Sequence, residues 1–167
     1  MRNLLSTKDQ RQLRLMEILI QNRNWMKLHE LAEKLGCTER ILKSDLNELR
    51  TAFPTIDIQS SINGIMIDLE VNASVEDVYQ YFLAHSQSFQ LLEYMFFNEG
   101  LPIYRTIENL HSSNANLYRL GRNITKTLST QFQIELSFTP TEIRGNEIDI
   151  RYFYAQYFSE RYYFLDW

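Results

Sequence analysis

Shifted by 75 residues without a gap, the chain lays Leu28 on Ile103, Ala32 on Ile107 and Leu35 on Leu110. The same shift lays Thr38 on Ser113, Leu42 on Leu117, Leu49 on Ile124 and Phe53 on Leu128. Apolar positions fall on apolar positions and one helix-capping hydroxyl falls on another, although the two segments otherwise differ. Self-similarity at a fixed offset points to a fold assembled from two like units in tandem. One position breaks the match, since Gly121 stands where Leu46 does.

Each copy reads as two helices joined by a tight corner. In the first, Leu28, Leu31, Ala32 and Leu35 recur at i, i+3, i+4 and i+7, which predicts a helix over about 28–35. Gly36 can stop it in the left-handed conformation, and Thr38 is a good N-cap for the next helix. That helix buries Leu42, Leu46, Leu49 and Phe53, and Pro54 closes it. The pattern then alternates through Ile56 and Ile58, turns at "SSING", and alternates again through Ile65, Ile67 and Leu69. Asn63-Gly64 favours a tight hairpin, so a two-stranded wing follows the helices.

The rest follows the same order. Thr7 and Gln10 have capping-box spacing for a first helix that buries Leu13, Met16, Leu19 and Ile20 and ends near Asn22. "NWMK" is long enough only for a strand-like link. A helix starts at Ser74–Asp77 with Val75, Val78, Tyr79 and Phe82 inward, and another carries Phe89, Leu92 and Phe96. Pro102 suits a first helical position, with Ile103, Ile107 and Leu110 facing in. The long helix after Ser112-Ser113 places Leu117, Leu120, Ile124 and Leu128 inside. Phe132, Ile134, Leu136 and Phe138 then alternate as a strand, Thr139-Pro140-Thr141 turns, and "EIRG" returns. The expected fold is mainly α, with two tandem winged helix-turn-helix domains and small β-hairpin wings. Residues 1–70 form the first and 71–167 the second, the latter with leading and trailing helices.

A short corner matters physically because it fixes the angle at which a second helix is presented, the geometry by which helix-turn-helix proteins enter the major groove. In the first copy the polar outward face is Glu39, Arg40, Lys43, Ser44 and Asn47. It offers two cations for phosphate or guanine and an amide for adenine. In the second copy it is Asn116, Tyr118, Arg119, Arg122, Asn123 and Lys126. Between Ile103 and Lys126 there are four cations against one acid, Glu108, whereas Glu39, Asp45 and Glu48 offset the cations of the first copy. The second head is therefore expected to be the stronger groove reader. Asn63 and Gly64 would form the tip of the first wing. A polar face is also what any solvated helix shows, so a winged-helix protein–protein module with covered recognition helices is the alternative reading.

Composition narrows the choices further. With 44% apolar and 13% aromatic residues the chain can bury a core. Its one cysteine, Cys37, excludes an internal disulfide and fits a cytoplasmic location. A small buried corner residue is the simpler account of that thiol than a redox sensor. No apolar run approaches a membrane span, and His29, His85 and His111 lie apart without metal spacing. No phosphate loop, paired histidine or nucleophile elbow is found, so neither enzyme activity, cofactor nor metal is expected. The net charge of −4 masks a division: residues 1–43 carry nine cations to five acids, and residues 44–99 carry Arg50 against nine acids. From Tyr152 to Trp167 nine of sixteen residues are aromatic, more than one helix face can bury. Tyr157, Phe158, Tyr162 and Phe164 are thus expected to include an exposed interface.

With the tandem motif and "IRGNEIDIRYFYAQYFSERYY" in view, the chain resembles the Mga-type transcription regulators of Gram-positive bacteria. In that family a second winged domain typically ends in a strand followed by Gly-x-Glu-x-x-Ile-Arg, seen here as Gly145, Glu147, Ile150 and Arg151. The resemblance implies binding of double-stranded DNA and regulation of transcription, often activation of surface or virulence genes. It also implies that this chain is a fragment, with sugar-phosphotransferase-type regulatory domains expected C-terminal to it. A homodimer and RNA polymerase enter as further partners on the same ground.

Overall fold

The computed structural model describes residues 1–68 and 74–163, which fall into two compact units. One runs from Thr7 to Tyr81; the other joins Met1–Ser6 to the chain from Phe82 onward.

In the first unit, helix α1 spans Thr7–Asn22, α2 Leu28–Lys34 and α3 Glu39–Ala52, followed by strands β1 (Asp57–Ser61) and β2 (Gly64–Asp68). Thr7 is the first helical residue rather than the cap, so the helix starts one place earlier than the capping-box spacing suggests. The predicted stripe of Leu13, Met16, Leu19 and Ile20 is buried, and so are Gln12 and Leu15, which widen the inward face. Helix α2 ends in a Schellman motif. Gly36 takes φ +62°, its amide donates to the Glu33 carbonyl, and the Cys37 amide donates to that of Ala32. Thr38 then caps α3, its hydroxyl accepting from the Ile41 amide. Leu42, Leu46 and Leu49 are buried, each worth about 1.5–3 kcal/mol. Phe53, by contrast, is the C-cap and packs its ring on Tyr81 at 4.5 Å.

The β1–β2 hairpin pairs Ser61 with Gly64, so its two-residue loop is Ile62-Asn63 and not Asn63-Gly64. The shift has a steric cause. A Cβ on Gly64 would lie 2.0 Å from the Met26 carbonyl oxygen, because Met26 exchanges both backbone hydrogen bonds with Ile65. Glycine is therefore needed where backbones meet, and the turn forms one residue earlier. That bridge is also the strand-like link expected of "NWMK". Ile56, Ile58, Ile65 and Ile67 face the core, and Leu69 lies outside the described residues. Helix α4 (Val75–His85) begins with a reciprocal box, Ser74 and Asp77 each accepting from the other's amide. The division between the units falls within this helix.

The second unit contains a short 3-10 turn at Arg2–Leu4, the end of α4, then α5 (Gln87–Phe97), α6 (Ile103–Asn109) and α7 (Asn114–Phe132). Strands β3 (Glu135–Phe138) and β4 (Thr141–Arg144) form its hairpin, and α8 (Glu147–Arg161) closes it. Several expectations shift here. Pro102 is the N-cap of α6 rather than its first residue, and Ile103, Ile107 and Leu110 are half-buried, as is Leu120 of α7. Thr106 is the residue of α6 that is fully buried. Phe96 is 45% exposed, and Met95 takes the inward place. Phe132 ends α7 instead of opening a strand, because Gln133 turns left-handed at φ +58°.

Helix α8 sends three aromatic side chains into the core. Phe153, Tyr154 and Tyr157 are buried, and the two tyrosine hydroxyls donate to the Leu92 and Phe89 carbonyls on α5. Burial pushes both phenols well above their usual range, so they stay neutral donors. Tyr152 and Tyr163 are exposed, whereas Phe158 and Tyr162 are half-buried. Phe164 lies outside the described residues.

Candidate nucleic-acid interface

The two corners match hydrogen bond for hydrogen bond at the 75-residue offset. His111 stands for Gly36, with φ +46°, and its amide donates to Glu108 as that of Gly36 does to Glu33. The Ser112 amide donates to Ile107 as that of Cys37 does to Ala32, and Ser113 caps α7 by accepting from the Asn116 amide. Helices α2 and α6 begin and end 75 residues apart, and α3 and α7 begin 75 apart. The register changes only afterwards, since α7 runs on to Phe132 whereas α3 stops at Ala52.

In the first head Glu39, Arg40, Lys43, Ser44 and Asn47 are all exposed on α3. Two of the acids expected to offset that face point elsewhere. Asp45 is buried, paired to Arg11 of α1 at 2.6 Å and accepting from Gln12 at 3.0 Å. Glu48 is paired to Lys8 at 2.5 Å and also accepts from Gln12. The Lys8 hydrogen bond, followed by that of Gln12, holds the Glu48 carboxyl below its usual range. These acids fasten α1 to α3, leaving Glu39 as the acid of the outward face. Cys37 is half-buried in the corner, and desolvation raises its thiol pKa, which favours the protonated form.

Arg50 and Lys27 carry roles that residue type alone did not reveal. The Arg50 guanidinium donates to the Ile58 carbonyl, Asn47 Oδ1 and Ser60 Oγ, which ties β1 to α3. Lys27 Nζ donates to the Ile62 carbonyl at the wing tip, where the Ile62 side chain is 95% exposed. The signal available was position: Arg50 is the one cation in the acidic stretch and lies three residues from Asn47. A crevice of about 360 Å³ separates helix and wing, lined by Lys43, Asn47, Arg50 and Ser60 over a floor of Leu28 and Leu46. Asn63 is exposed at the tip, while Gly64 is buried against Met26.

In the second head a ring from the hairpin stands where the first has Leu46. A Cβ on Gly121 would lie 2.4 Å from Phe138 Cε2, so the strand's ring occupies the volume that Leu46 occupies in the first copy. Tyr118 packs edge-on to the same ring at 5.2 Å. The break in the repeat is thus compensated by a residue seventeen positions downstream. Tyr118, Arg119, Arg122, Asn123 and Lys126 are exposed, and Asn116 is half-buried. Helix α7 contains three cations and no acid, whereas α3 contains three of each. Asn116 Oδ1 accepts from Arg119 at 2.7 Å, and its Nδ2 donates to Ser112 Oγ at 2.9 Å. In the closing element, Gly145 sits against Ile134, and Glu147 pairs with Arg151 at 2.5 Å.

Among the described residues no group of three His, Cys, Asp or Glu is placed to hold a metal, and no helix is long and apolar enough to cross a membrane. A cavity of about 510 Å³ lies away from the polar faces of α7, lined by Glu93, His111 and Arg161 among others. Its Glu93 carboxylate accepts from the Tyr157 and Tyr162 hydroxyls, so it fastens α8 to α5.

Two corners of one geometry, each followed by a two-stranded hairpin, define a mainly α protein with tandem winged helix-turn-helix units. The M protein trans-acting positive regulator (MGA) HTH domain matches residues 6–65, and the Mga helix-turn-helix domain matches residues 71–158. The chain belongs to the Mga family. It is similar to a Streptococcus pneumoniae serotype 4 protein named "Putative trans-acting regulator", with 48% identity over 167 residues, all of this chain and 34% of the relative. It is also similar to the capsule synthesis positive regulator AcpA of Bacillus anthracis, at 25% identity over 163 residues, 94% of this chain and 33% of that protein. The chain spans about a third of the length of the curated relatives it matches.

Proposed function

We propose that the chain is a double-stranded DNA-binding region of a transcription regulator, acting in the positive sense that the name of the Bacillus anthracis relative carries. Residues 1–70 and 71–167 act as two reading heads. In the first, Arg40, Lys43, Ser44 and Asn47 face the groove, with Glu39 at the rim and Asn63 at the wing. In the second, Arg119, Arg122, Asn123 and Lys126 do so, with Tyr118 beside them. The observation that carries this reading is α7, a nineteen-residue helix with exposed Arg119, Arg122 and Lys126 and no acid to cancel them. The protein–protein alternative would require an acidic partner surface to meet these cations. A cytoplasmic location goes with the DNA reading.

The test is a salt series against random duplex DNA. Each phosphate neutralised should add about 0.9 to the slope of log affinity against log salt, so four or five contacts should give a slope near −4. Binding that is flat with salt, or absent at low salt, would refute the reading and favour a protein partner.

A further inference from the structure

We infer that Asn116 is a positioning residue, held by Ser112, that aims Arg119 at a guanine; this rests on the DNA reading above. The amide orientation is fixed by chemistry. A guanidinium has only donors, so the Asn116 atom 2.7 Å from Arg119 Nη2 is the carbonyl oxygen. The amide nitrogen therefore faces Ser112 Oγ at 2.9 Å, and both ends of the side chain are engaged. An asparagine recognises adenine by using both ends on one base edge. Asn116, whose amide nitrogen is turned back to the corner, cannot do so without giving up Ser112.

Arg119 is in the opposite condition. It is exposed and spends one of its five N–H donors on Asn116, which leaves the rest of the fork for an acceptor pair such as guanine O6 and N7. The first head has the same Asn–Arg spacing with the roles reversed. Asn47 Oδ1 accepts from Arg50 at 3.2 Å, but Arg50 is turned inward onto Ile58 and Ser60, and Asn47 keeps its amide donors. One spacing thus yields an amide reader in the first head and a guanidinium reader in the second. A long side chain held in place before binding loses less freedom on docking, which sharpens discrimination.

The experiment begins with selection from a randomised duplex library using the unaltered chain. Binding of the selected duplex and of its single base-pair replacements is then compared for Asn116→Ala, Arg119→Ala and the double variant. Arg119→Ala should weaken binding to the selected duplex roughly ten- to hundred-fold and abolish preference at one G·C pair. Asn116→Ala should reduce preference at that same pair, and the double variant should match Arg119→Ala alone. Asn116→Asp keeps an acceptor for both Arg119 and Ser112, and should retain the preference at reduced affinity. Loss of preference at a different base pair, or unchanged preference in Asn116→Ala, would overturn the positioning role while leaving DNA binding intact. Failure of the unaltered chain to bind any duplex would overturn both.

Discussion

Replacing Gly121 by leucine would give the second head the residue that the first uses, and the structure says the exchange should fail. A leucine in mid-helix gains up to about 1 kcal/mol over glycine in helix propensity. Its Cβ, however, would stand 2.4 Å from Phe138 Cε2 and 2.7 Å from Cζ, so the ring must leave. Phe138 is half-buried, and displacing it forfeits about half of the 1.5–3 kcal/mol that full burial brings. Losing its edge-on contact with Tyr118 adds about 0.5–1.5 kcal/mol. The net expectation is a loss of about 1 kcal/mol. Phe138→Ala alone should cost about 1.5 kcal/mol, less than a fully buried phenylalanine would. In the double variant the leucine finds the space the ring has left, and stability should return to within about 0.5 kcal/mol of the original. The coupling is then about 2 kcal/mol, well outside additivity. Urea titrations read by hydrogen exchange at the Ile124 and Leu128 amides would report the second unit separately. Effects that add to within about 0.5 kcal/mol would show that Phe138 does not substitute for Leu46.

Asp45→Asn should destabilise the first unit by about 2–3 kcal/mol, somewhat below the cost of breaking a fully buried pair, because Arg11 is partly exposed; urea denaturation followed by circular dichroism would measure it. The Glu48 carboxyl is lowered by Lys8 and then Gln12, so its contribution is present above the unfolded value near ~4.3 and is lost as pH falls through its folded value. Lys8→Ala should flatten the acid limb of the stability curve, and an unchanged limb would count against the pair. For binding, Arg119→Ala with Arg122→Ala should weaken affinity for duplex DNA more than Arg40→Ala with Lys43→Ala, because α7 has no acid and Glu39 stays beside Arg40. With Asp45 and Glu48 turned to α1, the difference should be within about tenfold; a more damaging first pair would reverse the ranking of the heads.

The helix-turn-helix core was legible because its information is local. Leu28 to Leu49 contains its own stripe, left-handed stop and cap, and the observed α2, Gly36, Thr38 and α3 follow from spacing. What was illegible depends on partners far along the chain. Asp45 counts as a surface charge until Arg11, thirty-four residues earlier, is seen to neutralise it. Gly121 looks like a defect until Phe138 is seen above it. The hairpin dipeptide Asn63-Gly64 misplaces the turn by one residue because the Met26 backbone claims Gly64. In the candidate site, residue type pointed to side chains that are exposed apart from Asn116, which is half-buried in the first turn of α7, and what Asn116 and Asn47 each hold is set by neighbours that no pattern in their own helices encodes.

The two wings are fastened by different forces, and they should respond differently to the same event. The second is pinned by an aromatic ring seated on Gly121, a contact to which ionic strength is almost indifferent. The first has the Met26–Ile65 backbone bridge and, on its β1 side, Arg50, whose partners are a carbonyl, an amide oxygen and a hydroxyl, all neutral. A phosphate is a stronger partner for a guanidinium than any of these. A polyanion docked at this face would compete for Arg50 and loosen the β1 side of the first wing, while the ring on Gly121 would be unaffected.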